Sequence, residues 1–264
     1  MSSTSPHPAD VPERVGAINA PRALWRIARA VVHALHGALI CALVFPRLDR
    51  AQRMQRVGWW SARMLHLLGI RLQASGCVHT GPVLLVANHI SWLDILAINA
   101  VHPVRFVSKA DVRHWPLLGW LVACGGTLFI ERERKRDALR VVHQVAEALA
   151  AGEIVAVFPE GTTSDGCGVL PFHANLLQAA ITTATPVQPL ALRYSDATSA
   201  RSQAATYIGD TSLAQSLWAT ASAQGLTVHV QIDGAQGTRA LDRRALAGQL
   251  RESITRHLVD PDCQ

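Results

Sequence analysis

Charge is scarce in this chain of 264 residues: Asp, Glu, Lys and Arg together make up 17%, against 49% hydrophobic residues. That balance is too apolar for a freely soluble protein and too polar for a multi-span transporter, which leaves a peripheral or monotopic membrane protein. Cysteine is sparse as well. Cys41, Cys77, Cys124, Cys167 and Cys263 are odd in number and include no C-x-x-C pair, so neither a zinc ribbon nor a dithiol redox centre is encoded and a reducing compartment is expected. Acidic residues are nearly missing from positions 1–76, where ten Arg face only Asp10, Glu13 and Asp49, a net of +7; the remainder, with 15 basic and 16 acidic residues, is near neutral. Because those arginines flank an apolar run, they favour anionic lipid headgroups over a phosphodiester backbone, and no nucleic-acid partner is expected.

Residues 1–21, rich in Ser, Pro and Ala and without apolar periodicity, are expected to be a disordered lead. From Ala30 to Phe45, "AVVHALHGALICALVF" is uncharged for 16 residues until Pro46 stops it. As a helix this run would be about 24 Å long, short of the roughly 30 Å hydrocarbon core, so it dips into a bilayer or spans it under strain. Arg22, Arg26 and Arg29 precede it and Arg47, Arg50, Arg53 and Arg56 follow it, a symmetry that places both ends on the cytoplasmic side. A second segment, 49–68, sets Met54, Val57, Trp60, Met64, Leu67 and Leu68 at helical spacing, with Arg53 intruding on the apolar arc. Trp25, Trp59 and Trp60 are expected as interfacial aromatics. Residues 22–68 are thus expected to be membrane-associated helices, and 69–264 a single α/β domain.

Beyond Gly69 the pattern alternates. Strands are expected at Ile70–Ala74, Val83–Ala87, Arg105–Ser108, Thr127–Ile130, Ile154–Phe158, Val187–Leu192 and Thr227–Ile232. Helices are expected at Trp92–Val101, Trp115–Cys124, Asp137–Ala151, Ala174–Thr183, Ser212–Ala223 and Arg239–Leu258. The fold class is α/β: a mixed, mostly parallel sheet flanked by helices, with an N-terminal membrane-associated helical segment.

In such folds reactive groups gather where strands end and helices begin. "LLVANHISWLDILAI" places Asn88 and His89 directly after an apolar strand and Asp94 five residues after the histidine. Two readings stand side by side. Ser91-x-x-Asp94 is a capping box, and His89 with Asp94 is an imidazole–carboxylate pair. The spacing alone does not decide, because His257 and Asp262 repeat it in the C-terminal tail. Two further segments carry reactive groups at strand ends. "GGTLFIERERKR" delivers Arg132, whose guanidinium can grip a phosphate or carboxylate with two parallel bonds, or lie with Arg134, Lys135 and Arg136 on a solvated face. "IVAVFPEGTTS" ends a strand in Pro159, Glu160, Gly161 and Thr162, a ligand-facing loop or a plain polar turn.

"NHISWLD", "GTLFIER", "FPEGTTS" and "ATPVQPLAL" occur in the order and at about the spacing of four motifs of the glycerolipid acyltransferases, and the chain resembles the bacterial 1-acyl-glycerol-3-phosphate branch over roughly residues 30–235. The resemblance implies that His89 is the general base for an acceptor hydroxyl and Asp94 its orienting partner. It implies that Arg132, with Gly126 and Phe129 shaping its strand, binds the acceptor's phosphate. Glu160, Gly161 and Thr162 would line the acceptor site, Pro186 would shape an acyl pocket, and Lys109 matches a basic position of the family. No cofactor is implied beyond the co-substrate, an acyl thioester of coenzyme A or of acyl carrier protein; the partners are that carrier and membrane lipids, at the cytoplasmic face of a bacterial inner membrane. Two positions depart from the pattern. Thr163 stands where the family commonly has Arg, and Phe172-His173-Ala174-Asn175 stands where it often has Phe-Lys-x-Gly. Both remove positive charge, so lyso-ornithine lipid rivals lysophosphatidic acid as acceptor. A non-catalytic lipid-binding protein, and a metal-dependent hydrolase using His89, Asp94 and His102, are the alternatives from other classes.

Overall fold

Five consecutive apolar residues, Val83–Ala87, form β2, and all five are buried. A strand reads as a continuous apolar run when both faces of its sheet are covered, and β2 is the middle strand of seven, in the order β1-β7-β6-β2-β5-β3-β4. The computed structural model describes residues 20–109, 118–130, 135–239 and 241–258. Its strands are β1 (Arg71–Ser75), β2, β3 (Arg105–Lys109), β4 (Leu128–Ile130), β5 (Ile154–Val157), β6 (Val187–Ser195) and β7 (Thr227–Ile232). Its helices are α1 (Ala20–Leu39), α2 (Arg50–Leu68), α3 (Leu93–Val101), α4 (Leu118–Cys124), α5 (Lys135–Ala150), α6 (Leu177–Thr182), α7 (Leu213–Ser222) and α8 (Arg243–Leu258). All pairings are parallel except β6 with β7, so the mixed, mostly parallel α/β sheet is as expected.

Alternation along the strands divides the core into two layers. Leu85, Ala87, Phe106, Ala156, Leu190, Leu192, Tyr194, Val228 and Val230 share one layer with Ala30 of α1, Met64, Leu65 and Leu68 of α2, and Leu93 and Ala97 of α3. Leu84, Val86, Val155 and Val157 point the other way, onto Val145 and Leu149 of α5, Leu177 of α6 and Leu250 of α8. The N-terminal helices therefore pack into the same core that supports β2.

α1 begins at Ala20, ten residues ahead of the apolar run and inside the expected lead, the rest of which lies outside the described residues. The reason is tertiary. Arg26 donates to the Ala221 and Ala223 carbonyls at the end of α7 at 2.9 and 3.0 Å, which ties the polar first turns to the domain. The helical stretch runs on through a π-turn to Pro46, and Ala20–Arg47 is long and apolar enough to cross a bilayer. One side of α1 is nevertheless buried, through Ala23, Ala30, His33 and Gly37. Leu24, Val31, Val32, Leu35, Leu39 and Leu43 form an exposed apolar stripe on the other.

Asp49 starts α2 as a capping box with Gln52, two bonds of the kind that fix a helix start. Gly69 ends it with φ 80°, a backbone that a side chain would strain, and the missing Cβ lets the Arg26 guanidinium pass. Trp25 and Trp59 are 64% and 48% exposed. Trp60 is not an interfacial aromatic: it stacks on His33 between α1 and α2, and its Nε1 donates to the His33 carbonyl at 3.1 Å. Gly37 is small because the Trp60 indole occupies the space of a Cβ.

Candidate active site

β2 stops pairing with β6 after Ala87 meets Leu190, and Asn88 then substitutes its side chain for a strand residue. Its Nδ2 donates to the Leu192 carbonyl at 3.0 Å, and its Oδ1 accepts from the Leu192 N–H at 2.7 Å. The backbone can thus leave the sheet without orphaning β6. The next residue is His89, and every backbone group around it is claimed. Its N–H donates to Glu160 Oε1 at 2.6 Å, its carbonyl accepts from the Ser164 N–H at 2.7 Å, and the Ile90 carbonyl accepts from the Tyr207 N–H at 3.1 Å. A non-strand segment held this way is rigid because buried polar groups are costly to unpair.

His89 Nδ1 lies 2.8 Å from Asp94 Oδ2. That oxygen also accepts from the Ile90 and Ser91 N–H groups at 2.7 and 2.9 Å, while Oδ1 accepts from the Tyr194 hydroxyl at 2.7 Å. A carboxylate already taking three other donors can only accept from the imidazole, which fixes the proton on Nδ1 and leaves Nε2 as a lone-pair acceptor. The ring stacks on Phe158 with centroids 4.0 Å apart and planes 11° apart. His89 is partly exposed, Asp94 wholly buried, and Nε2 carries no hydrogen bond among the described residues. The group can accept a proton from a hydroxyl brought to its open side.

The expected capping box forms only in half. Asp94 accepts from the Ser91 N–H, but Ser91 Oγ is buried without a partner, because the chain's approach to α3 is set by the His89 clamp. Glu160 braces the His89 segment. It is buried, and its second oxygen accepts from the Leu170 N–H at 2.9 Å; burial raises its carboxyl above the ordinary range, against the pull of the Leu170 and His89 N–H groups and the His89 charge, and the nearby Asp94 charge adds to the rise. Gly161 turns the chain at φ 73°, its N–H closing onto the Phe158 carbonyl at 3.1 Å, and Thr162 is exposed beside it. Thr163 hydroxyl donates to the Tyr207 carbonyl, so the residue in the place of an arginine braces the same loop that holds Ile90.

The remaining expected residues divide by end of the sheet. Lys109 closes β3, paired with Ile130 of β4, at the end where β2 delivers His89; β3 lies two strands over, about 10 Å away, and β4 three, about 14 Å. Arg132 follows β4 and lies outside the described residues. Phe129 sits within β4 opposite Ser108. Gly126 and Pro186 lie elsewhere. Gly126 precedes β4, and its carbonyl accepts from Arg105 Nε at 2.7 Å; the Pro186 carbonyl accepts from the Leu84 N–H at 3.0 Å. Both are at the sheet's opposite end, Pro186 about 16 Å of strand length from His89. His102 likewise ends α3, about a 14 Å helix away.

Sequence reasoning missed Tyr194. A signal was present: one of only two tyrosines, in phase with Leu190 and Leu192 on a buried strand, is a hydroxyl that needs a partner.

A family model described as Acyltransferase matches residues 70–193. The 1-acyl-sn-glycerol-3-phosphate acyltransferase of Neisseria meningitidis serogroup B is 39% identical over 194 residues, 73% of this chain and 76% of that one. The lyso-ornithine lipid O-acyltransferase of Pseudomonas aeruginosa is 38% identical over 203 residues, 77% of each. The crystal structure of the 1-acyl-sn-glycerophosphate (LPA) acyltransferase from Thermotoga maritima covers 93% of this chain, and this chain 97% of it, with a TM-score of 0.70 and 20% identity, a likeness of fold.

Proposed function

The chain belongs to the acyltransferase family of those relatives, and from that premise we propose that it moves a fatty acyl group from an acyl thioester to the free hydroxyl of lysophosphatidic acid, giving phosphatidic acid. The observation that carries the reading is the open Nε2 of His89, with Nδ1 held by a buried, four-bonded Asp94. As the acceptor oxygen attacks the thioester carbonyl, Nε2 takes the hydroxyl proton; the tetrahedral oxyanion then expels the thiolate, which recovers that proton from the imidazolium. No acyl-enzyme forms. Asp94 keeps the tautomer and supports the transient positive charge. Lys109, which closes β3, and Arg132, two residues after β4 in sequence, serve an anionic headgroup. The donor is a coenzyme A or carrier-protein thioester.

The acceptor arrives from a membrane surface. α1 lies along the bilayer rather than across it, because its buried side is bonded to α7 and α2 while Leu24, Val32, Leu35 and Leu39 face outward with Trp25. His89 belongs to the sheet layer that these helices cover. A second acceptor, lyso-ornithine lipid, is favoured by one observation: Thr163 offers a braced hydroxyl where an arginine would add a phosphate fork. Labelled acyl thioester incubated with the membrane-bound protein and a panel of lysolipids separates these. Label in phosphatidic acid is expected; label only in ornithine lipid selects the second acceptor, and no label in any lysolipid ends the acyltransferase reading.

A further inference from the structure

We propose that Tyr194 is a positioning residue of this acyl-transfer site, acting through Asp94 to set how readily His89 takes a proton. The inference rests on the function proposed above and goes one layer deeper into the site. β6 presents Leu190, Leu192 and Tyr194 to one layer of the core, and all three are buried. A phenyl ring would fill that layer as well as a phenol. The hydroxyl is therefore surplus to packing, and its hydrogen bond goes to Asp94 Oδ1.

That bond does two things. Three donors share Oδ2, so the phenol's bond to Oδ1 fixes the other end of the carboxylate; without it the carboxylate can tilt about Oδ2, and the imidazole it orients tilts with it. The phenol also draws negative charge toward Oδ1. A carboxylate so shared gives an imidazolium less support than one without the phenol. Burial, then the Asp94 charge and the bond to it, push the Tyr194 phenol well above its ordinary range, so it remains the donor. Among the described residues the ionisable groups facing the pair are Tyr194 itself and Glu160, which reaches it through the His89 N–H.

The test compares full-length wild type with Tyr194→Phe, reading kcat, both KM values and the pH profile, and titrating the His89 ring by NMR with His89→Gln for assignment. The expected result is a kcat about tenfold lower, KM values within about twofold, and an acidic limb and His89 titration moved to higher pH. Tyr194 as a packing residue alone would lower activity equally at every pH, and an unmoved limb with an unmoved titration overturns the proposal. Should Tyr194→Phe not fold, replacing tyrosine by 3,5-difluorotyrosine in a Tyr207→Phe background decides: a more acidic phenol must move the titration to lower pH, and any other result counts against it. The NMR reading is independent of turnover, so a protein that acylates no lysolipid sinks the function while leaving this question answered.

Discussion

Among the described residues two histidine–aspartate pairs stand at almost the same distance. His89 Nδ1 lies 2.8 Å from Asp94, and His257 Nε2 lies 2.7 Å from Asp233. The difference is in what each pair leaves free. His257 and Asp233 are 35% and 22% exposed, and Ser253 hydroxyl takes the other Asp233 oxygen at 2.5 Å, so water competes for both partners and the imidazole gives its outer nitrogen to the contact. His89 gives its inner nitrogen to a carboxylate sealed from water and keeps the outer one for a visitor. Distance alone would rank the surface pair first; burial, tautomer and the unspent nitrogen reverse that ranking.

The sharpest way to break this comparison is to remove both imidazoles in turn. His89→Ala should lose acyl transfer by about 10³-fold or more, the scale of a lost general base, with a stability cost of about 1–3 kcal/mol because buried Asp94 loses one of its four donors. His257→Ala should keep transfer within about twofold and cost at most about 1 kcal/mol, as expected of an exposed pair. Labelled-thioester turnover with urea unfolding on the same preparations measures both, and equal losses in the two variants would mean that environment does not separate the pairs.

Glu160 sharpens the comparison from the backbone side, since the surface pair has nothing like its bracket between His89 and Leu170. Glu160→Gln leaves one oxygen for two N–H donors and sets an amide against the second. Expected are a loss of about 1–3 kcal/mol of stability and about a tenfold fall in kcat as His89 loses its fixed seat. The pH dependence has a definite sign. Burial raises the wild-type carboxyl, so the native state binds this proton more tightly than the unfolded chain. That contribution is present below the ordinary glutamate value of about 4.3 and is lost as pH rises through the raised one. Glutamine has no such titration. The stability gap between wild type and Glu160→Gln should be widest at acid pH and narrow upward through that window in urea unfolding; a gap that widens with pH would contradict the assigned cause.

How much of this was legible in sequence depends on whether the deciding contacts were local. Val83–Ala87 and Thr227–Ile232 match their expected bounds at both ends, because short apolar runs with β-branched residues between turn residues favour strands. His89 and Glu160 were also legible as residues that follow buried strands. What failed was long-range. The start of α1 is set by Arg26 reaching α7, 195 residues away in sequence. Glu160 was legible as a strand-end carboxylate but its partners were not, because its two backbone donors lie 71 and 10 residues from it. The fourth motif carries Pro186 one residue before β6, but only the parallel register of β6 against β2 reveals that the strand starts at the far end from His89. The H-x4-D repeat at His257 decides nothing by spacing, as expected: His257 contacts Asp233, 24 residues away in sequence, and Asp262 lies outside the described residues.

The smallest expected effect concerns Thr163, where the buried pair meets whatever headgroup the acceptor carries. Its hydroxyl bond to the Tyr207 carbonyl joins the 161–164 turn to the loop whose N–H holds Ile90. An arginine there gives up that brace and gains a planar fork suited to a phosphate. Thr163→Arg should therefore lower total turnover modestly, about two- to threefold, the scale of one lost neutral hydrogen bond. It should also raise the ratio of kcat/KM for lysophosphatidic acid over lyso-ornithine lipid by about three- to tenfold, with most of the change in KM because the headgroup is bound equally in ground and transition states. His257→Ala, far from the headgroup, should leave that ratio where it is. A ratio unchanged by Thr163→Arg would remove Thr163 from headgroup choice and leave selection to the strand ends of β3 and β4.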